Sequence, residues 1–168
     1  MKVLETGRLL LRWITTDDAP FVLELLNEPS FLQFIGDKGV RNLEDARNYI
    51  LTGPVASYQR FGFGLYLVLL KDTGEPIGMC GLLKRESLPD VDVGYAFRPA
   101  FWSKGYGFES AAAVLVHGWE AFGLKRIVAI TSPDNAGSKA LLEKLGLRYE
   151  ATLNLTPGQD TDLFAIEA

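Results

Sequence analysis

The chain has 168 residues, close to the length of one domain, and 48% of them are hydrophobic, which excludes an intrinsically disordered protein. Its 17 basic and 21 acidic residues give a formal net charge of −4 at pH 7, so no overall positive field favours binding to nucleic acid or to an anionic membrane. One cysteine and one histidine exclude an intramolecular disulfide and a zinc site built from those two ligand types.

The sequence also lacks the ~18 consecutive apolar residues of a membrane-spanning helix. Glu5 and Arg8 interrupt the apolar run that a signal peptide needs. We therefore expect one domain over residues 1–168, located in the cytoplasm as a monomer or a homodimer and holding no metal.

Hydrophobic periodicity and capping residues predict one strand and two helices before residue 62. They are a strand over 8–14, a helix from Asp17 or Asp18 to about Glu28, an irregular segment over 29–40, and a helix from Asn42 whose end near Gly62 is left open.

The pattern then changes to short apolar runs separated by tight turns, which predict an antiparallel meander. The predicted elements are strands over 64–71, 76–85 and 91–98, a helix over 105–123, a strand over 125–131, a helix over 135–145, and terminal strands near 147–155 and 161–167. The order β-α-α-β-β-β-α-β-α-β-β predicts a mixed α/β (α+β) fold, with a mostly antiparallel sheet of about seven strands flanked by about four helices.

Two glycines mark the point at which a predicted strand gives way to the long helix. Gly105 and Gly107 lack a Cβ, so a ligand can approach the backbone closely, and the free N–H groups of a helix N-terminus suit a phosphate. Lys104 adds a positive charge. The same spacing also fits a tight turn without a ligand, and it matches neither a P-loop nor a dinucleotide-binding fingerprint.

Four segments, in this order along the chain, resemble the GNAT superfamily of N-acetyltransferases. TGRLLLRWITTDDA (6–19) is similar to the opening of the branch that contains the ribosomal-protein N-terminal (alanine or serine) acetyltransferases. DVGYAFRP (92–99) resembles the family's central strand, and WSKGYG (102–107) its pyrophosphate loop, [Q/R]-x-x-G-x-[G/A]. SPDNAGSKALLEKLGL (132–147) resembles its second signature. The similarity covers nearly the whole chain.

The resemblance implies a GNAT fold, with acetyl-CoA as the co-substrate in a cleft between the central strand and the strand over 125–131. It places the pantetheine arm along the backbone of Tyr95, Ala96 and Phe97, with Asn135 in contact with the cofactor nearby. The residues whose amides would bind the pyrophosphate are Ser103, Lys104, Gly105, Tyr106, Gly107 and Phe108.

Three positions depart from the family pattern. Trp102 replaces the usual Gln or Arg, so one side-chain contact to the phosphate is lost. Leu142 stands where many members have a tyrosine proposed to protonate the leaving thiolate. Ile130 stands where some members have a glutamate base, so neither role can be carried over.

Two other residues are the candidates for the proton transfers. Ser138 lies three residues after Asn135, on the same helix face, and could hydrogen-bond the leaving sulfur; the alternative is a plain polar residue in a first helical turn. Asp92 matches the acidic residue before the Gly-Tyr of the family motif and could accept a proton through water. Its alternative is a solvated carboxylate at the edge of a strand.

In the family, the segment that corresponds to 29–40 often lines the acceptor side. Phe31, Phe34 and Asp37 are therefore candidates for the acceptor wall, with a surface loop as the alternative. His117 is expected on the solvated side of the long helix, opposite its apolar residues.

The resemblance implies direct transfer of an acetyl group from acetyl-CoA to a primary amine, such as a protein N-terminus. Two alternatives stay open: a small-molecule amine acetyltransferase, and a non-catalytic acyl-CoA-binding regulatory domain. The negative net charge favours a basic acceptor.

Overall fold

The computed structural model describes residues 2–168, whose strands form one eight-stranded sheet. In chain order the strands are β1 (Lys2–Glu5), β2 (Leu9–Trp13), β3 (Leu65–Leu70), β4 (Pro76–Leu83), β5 (Asp92–Phe97), β6 (Arg126–Thr131), β7 (Arg148–Thr156) and β8 (Gln159–Glu167). Their order across the sheet is β1-β2-β3-β4-β5-β6-β8-β7, and every neighbouring pair is antiparallel except β5 and β6. The predicted mixed, mostly antiparallel sheet is confirmed.

The α-helices cover both faces of this sheet. They are α1 (Ala19–Leu26), α2 (Pro29–Phe34), α3 (Leu43–Ile50), α4 (Ala56–Phe61), α5 (Tyr106–Phe122) and α6 (Ala136–Leu145). Three helices have their boundaries at predicted positions. Asn42 and Asn135 cap the N-termini of α3 and α6 through their Oδ1 atoms. Gly105 precedes α5 and Gly123 follows it, with φ of 85° and 63°. No helix within residues 2–168 is long and apolar enough to cross a membrane.

Alternate residues of the central strands point to opposite faces of the sheet and pack in two separate cores. Tyr66 and Cys80 point to one face and pack in the core under α5 and α6. Leu67 and Met79 point to the other face and pack with Leu25 and the rest of α1–α3. Helices α1–α3 therefore lie on one face of the sheet and α5 and α6 on the other, while α4 contributes Tyr58 to the core under α5 and α6.

The structure corrects the prediction for the first forty residues. Lys2–Glu5 form the additional edge strand β1, which is too short to show a periodic pattern. The segment predicted to be irregular contains α2, which begins at Pro29, where the missing N–H of proline is no loss. Gly36 and Gly39 follow this helix and do not interrupt it.

The predicted second helix is divided into α3 and α4 by a π-helical turn over Leu51–Val55. Pro54 lies inside this turn. Proline lacks an N–H and its ring collides with the preceding turn of a regular α-helix, so the wider turn accommodates it. Gly62, with φ of 82°, ends α4.

Helix α5 is rotated relative to the prediction. The sequence pattern predicts a buried face through Phe108, Ala111, Ala112, Leu115, Trp119 and Phe122. The structure buries Ala111 and Leu115 as predicted, but it buries Ser110, Val114 and Gly118 in place of the others. Small residues decide the rotation, because they let the helix approach the sheet closely: a Cβ on Gly118 would lie 2.9 Å from Ile127 Cδ1.

The rotation brings His117 to the inner side of α5, so its predicted solvated position is wrong. The ring centroid of His117 lies 5.0 Å from that of Phe122, edge to face. Its Nε2 is buried and has no hydrogen-bond partner within residues 2–168. Burial lowers the pKa of His117.

The parallel strands β5 and β6 meet at one end only. Their one aligned pair is Asp92 with Val128, and the Val128 amide donates to the Val91 carbonyl at 3.0 Å. Beyond this pair the two strands share no ladder, so the remainder of β5 borders a gap in the sheet. The fold therefore opens at the central strand, beside Tyr95 and Phe97.

Candidate active site

At the edge of β5 that borders the gap, every second residue points its backbone N–H and C=O away from β4 and into the gap. The Arg98 amide donates to the Ile77 carbonyl at 2.9 Å, across β4 and β5. Because an antiparallel ladder alternates, Ala96 also turns its backbone towards β4, whereas Tyr95 and Phe97 turn theirs towards the gap. The predicted backbone contact of Ala96 is therefore wrong, since the sheet already uses its N–H and C=O.

The loop that enters α5 presents a row of amides without partners. None of the backbone N–H groups of residues 103–108 donates a hydrogen bond to another residue in 2–168, and α5 has no side-chain N-cap. Gly105 and Ser103 both adopt left-handed conformations, with φ of 85° and 60°. Free amides at a helix N-terminus attract an anion, so this loop fits a diphosphate. Besides Gly105, the loop consists of Ser103, Lys104, Tyr106, Gly107 and Phe108.

A clamp formed by Arg8 and Glu109 holds this loop in place. Arg8, in the turn between β1 and β2, donates from Nη1 to the Lys104 carbonyl at 3.1 Å and from Nε to Glu109 Oε1 at 2.8 Å. Its guanidinium also lies 4.3 Å from the centroid of the Tyr106 ring. Thr6 donates a further hydrogen bond to Glu109. The N-terminal hairpin thus fixes the loop from the side opposite α6.

Glu109 carries a permanent charge in this clamp. Although partial burial opposes ionisation, the hydrogen bonds from Thr6 and Arg8 lower the pKa of Glu109. Its carboxylate accepts from the Arg8 backbone and side chain, which keeps it turned away from the free amides of the loop.

Trp102 joins the loop to the central strand. Its indole Nε1 donates to the Phe97 carbonyl at 2.9 Å, while about half of the side chain stays exposed. The residue that replaces the family's Gln or Arg therefore supports the loop through the strand, where the usual residue would contact the phosphate.

Ser138 and Tyr95 form a hydroxyl pair across the cleft. The Tyr95 hydroxyl and Ser138 Oγ are 2.9 Å apart, and burial raises the pKa of Tyr95 to about 12. Asn135 uses its Oδ1 to cap α6 at the Ser138 amide, so its Nδ2 is left without a partner within residues 2–168. The structure thus brings three of the predicted site residues together on the α5–α6 side.

Asp92 lies on the other side of β5, together with Gly94 and Ala96. The residue is 1% exposed, and Arg85 Nε donates to both of its carboxylate oxygens, at 3.1 and 3.3 Å. The alternative of a solvated carboxylate is therefore wrong. Burial raises the pKa of Asp92, although the charges of Arg85 and Lys84 act in the opposite direction.

The three acceptor-side candidates occupy different environments. Phe31 is 5% exposed and packs in the core with α1 and α3, which removes it from the acceptor wall. Phe34, at the end of α2, is half-buried, and Asp37 is exposed and pairs with Arg41.

Within residues 2–168, no group of three or more His, Cys, Asp or Glu side chains converges as a metal site requires.

A known family accounts for this architecture. The family model described as "Acetyltransferase (GNAT) domain" matches residues 8–148. The chain belongs to the GNAT acetyltransferase family. It is thus an acetyltransferase, and the resemblance noted in the sequence is confirmed.

Curated relatives agree over nearly full lengths. The chain is 30% identical to the uncharacterized N-acetyltransferase YoaA of Bacillus subtilis over 171 residues, which cover 98% of this chain and 96% of YoaA. It is 29% identical to the uncharacterized N-acetyltransferase YnaD of the same organism, over 88% of this chain and 83% of YnaD.

Solved GNAT structures share the fold. A GNAT-family acetyltransferase from Bacillus anthracis is 27% identical, with a TM-score of 0.81 over 99% of this chain and 98% of that one. The ribosomal L7/L12 alpha-N-protein acetyltransferase RimL, solved in complex with coenzyme A, is 20% identical, with a TM-score of 0.85 over 99% and 98% of the two chains. At that identity the likeness to RimL is one of fold.

Sequence reasoning missed several residues of the candidate site. Arg8 lies within the motif that identifies the family branch, but its contact with Glu109 spans 101 positions. The sequence gives no signal for the pairing of Arg85 with Asp92. The sequence motif indicates a role for the Tyr95 backbone. The contact of its hydroxyl with Ser138 can be recognised only when α6 is seen to lie beside β5.

Proposed function

We propose that this GNAT enzyme transfers the acetyl group of acetyl-CoA directly to a primary amine on a protein N-terminus or a small molecule, through the gap between β5 and β6. The observation that carries the proposal is the row of partnerless amides at residues 103–108, at the end of the strand that borders the gap. The one cysteine, Cys80, is buried and unpaired, which supports a reducing compartment such as the cytoplasm. We treat residues 1–168 as a single catalytic domain.

The residues supply binding and orientation on the α5–α6 side. Acetyl-CoA contributes the activated thioester when it is bound. The amides of the loop bind the diphosphate, and Asn135 Nδ2 is free to donate to the pantetheine arm. The backbone of Tyr95 and the N–H of Phe97, whose carbonyl accepts from Trp102, pair with the pantetheine amides. One of the strand N–H groups that point into the gap, at Tyr95 or Phe97, would donate to the carbonyl oxygen.

The two proton transfers would take place on opposite sides of β5. Ser138 donates its hydroxyl proton to the departing sulfur, and the Tyr95 hydroxyl, 2.9 Å from Ser138 Oγ, orients it; a proton from solvent restores the serine hydroxyl after CoA leaves as the thiol. Asp92, which is buried against Arg85, accepts the proton of the attacking amine through water. A carboxylate with a raised pKa is the better base near neutral pH.

Acceptor-dependent release of CoA is the test of this function. The chain is incubated with acetyl-CoA, a thiol-reactive dye and a panel of peptides and small amines. We expect thiol release that depends on the acceptor, an acetylated amine by mass spectrometry, and a large loss of turnover in Asp92→Asn. Tight CoA binding with no release across the panel would instead support a non-catalytic acyl-CoA-binding domain.

A further inference from the structure

A pocket of about 280 Å³ lies between α3, α4 and the strands β3 and β4. Leu65 and Leu83 form part of its wall and also flank Gly94 of β5, where a Cβ would lie 2.9 Å from Leu83 Cδ1 and 3.7 Å from Leu65 Cδ2. Leu83 is the register partner of Asp92. The wall of the pocket is therefore one cross-strand neighbour away from the candidate base, on the same face of the sheet.

The size of this pocket limits what can enter it. Small-molecule sites in proteins usually occupy ~300–1,000 Å³, so the space suits one group of about amino-acid size. Apolar and aromatic side chains, including Tyr49 and Phe61, form much of the lining. The pocket can thus hold an apolar body joined to the reacting amine.

The charge of the pocket is opposite to that of the whole chain. Arg60 and Lys84 are the charged residues of its lining, and the lining contains no acidic residue. Lys38 lies nearby: partial desolvation lowers the pKa of its ammonium, and the charge of Arg85 lowers it further. The lining of the pocket is thus basic although the chain has a net charge of −4, and Lys38 lies near Arg85.

Arg85 is positioned to bind an anion beside the base. It uses Nε to hold Asp92, and its two terminal nitrogens have no hydrogen-bond partner within residues 2–168. The side chain is 39% exposed, so it is in contact with solvent although Asp92, its partner, is buried. Lys84 differs, because its Nζ donates to the Arg85 and Leu88 carbonyls and so fixes the end of β4.

We propose that the acceptor is a primary amine that carries an anionic group, a carboxylate or a phosphate, close to the amine, and that Arg85 binds this anion with help from Arg60 and Lys38. The proposal rests on the proposed function and specifies its acceptor. A guanidinium with free terminal nitrogens can take a carboxylate or phosphate in a two-point contact, which fixes orientation as well as position. Because Arg85 is anchored on Asp92, an anion on Arg85 sets the neighbouring amine beside the base.

This inference replaces the expectation of a basic acceptor that follows from the net charge. Exposed charges more than about 8–10 Å away are largely screened at physiological salt, whereas Arg85 and its neighbours act at the reacting amine. A cationic acceptor would meet like charges at the pocket, and an anionic one would meet complementary charges.

Matched acceptor pairs that differ by one charge provide the test. The pairs are leucine and leucinamide, phosphoethanolamine and ethanolamine, and two C-terminally amidated tetrapeptides with Glu or Gln at the second position. Steady-state kcat/KM is measured for both members of each pair, and the pair with the largest preference identifies the anion and its source. We expect the anionic member of at least one pair to be favoured by about ten- to hundredfold, the range of a charge-assisted hydrogen bond.

Variants assign the preference to Arg85. In Arg85→Gln the anionic-to-neutral ratio should fall to within about threefold of one, whereas Arg85→Lys, which keeps the charge, should retain more of it. Loss of the Asp92 contact can slow both members, but the ratio within a pair cancels that effect. Arg47→Gln, which removes an exposed cation of α3 outside the pocket lining, is the control and should leave the ratio unchanged.

The outcomes separate the two proposals. The wild type can transfer the acetyl group to amines without preferring the anionic member of any pair, or the preference can survive in Arg85→Gln. Either result refutes the proposal that Arg85 binds an anion on the acceptor, and it leaves the proposed function intact. If no amine is acetylated, the proposed function fails, and calorimetry of N-acetylleucine against N-acetylleucinamide still decides the anion site. Equal affinity of the wild type for these two probes would then refute it.

Discussion

Removal of the Arg8 clamp is the most informative perturbation of the CoA loop. Arg8→Ala deletes the ion pair with Glu109, the hydrogen bond to the Lys104 carbonyl and the contact with the Tyr106 ring. The loop would then lose its support from the N-terminal hairpin. Its free amides would remain, but they would be less well ordered before CoA binds.

The size of the effect follows from these three contacts. The side chains of Arg8 and Glu109 are 48% and 21% exposed, so the ion pair is worth only ~0.2–1 kcal/mol. The hydrogen bond to the carbonyl adds about 1 kcal/mol and the ring contact ~0.5–1 kcal/mol. Their sum is about 2–3 kcal/mol, and 2 kcal/mol corresponds to a loss of affinity of ~30-fold.

Isothermal calorimetry with CoA measures this loss. We expect Kd for CoA to rise about five- to thirtyfold in Arg8→Ala, and by less in Arg8→Lys, which keeps the charge without the forked donor. Lys2→Ala is the matched control, because it removes an exposed ion pair of the same hairpin that does not touch the loop. Wild-type affinity in Arg8→Ala would show that the hairpin does not hold the loop.

Four further predictions concern the hydroxyl pair, the loop glycine, the candidate base and the buried histidine. Ser138→Ala should lower kcat by tens of fold and leave CoA affinity similar, and Tyr95→Phe should lower kcat by less; equal turnover would remove the hydroxyl pair from the mechanism. Gly105→Val should weaken CoA binding at least tenfold, since the left-handed backbone costs a side chain ~1–2 kcal/mol and a Cβ would lie 3.2 Å from the Arg8 guanidinium; unchanged calorimetry would contradict the loop assignment. The acid limb of the kcat/KM–pH profile should lie above the ordinary carboxyl pKa of 3.8, because Asp92 must be ionised to accept a proton and burial raises its pKa; the limb should vanish in Asp92→Asn. The unfolded chain protonates His117 first as the pH falls below 6.5, so the free energy of unfolding should drop from that pH down to the lower native pKa; urea titrations of His117→Gln should lack that drop.

Local signals account for the parts of the fold that the sequence predicts. The strands of the meander and the helices α5 and α6 begin and end within about two residues of the predictions, because glycines and Asn135 act on the backbone next to them. The GNAT motifs located the loop 103–108 for the same reason: its chemistry depends on consecutive backbone amides.

The remaining features depend on contacts between distant residues. Whether Ala96 or Tyr95 faces the gap is set by the register of β5 against β4, and a shift of one residue would exchange them. The rotation of α5 follows from the close approach of Gly118 to Ile127, which periodicity does not reveal. Arg85 and Asp92 meet across the β4–β5 turn, so their pairing is apparent only in the folded chain.

Amide-resolved NMR with CoA tests the central claim most directly. In a ¹H–¹⁵N titration, the account predicts that the amides of residues 103–108, Tyr95 and Phe97 shift on CoA addition and become protected from hydrogen exchange, while the Ala96 amide, already bonded to β4, changes little in protection. Saturating binding of CoA that leaves the amides of 103–108 unshifted and unprotected would contradict it.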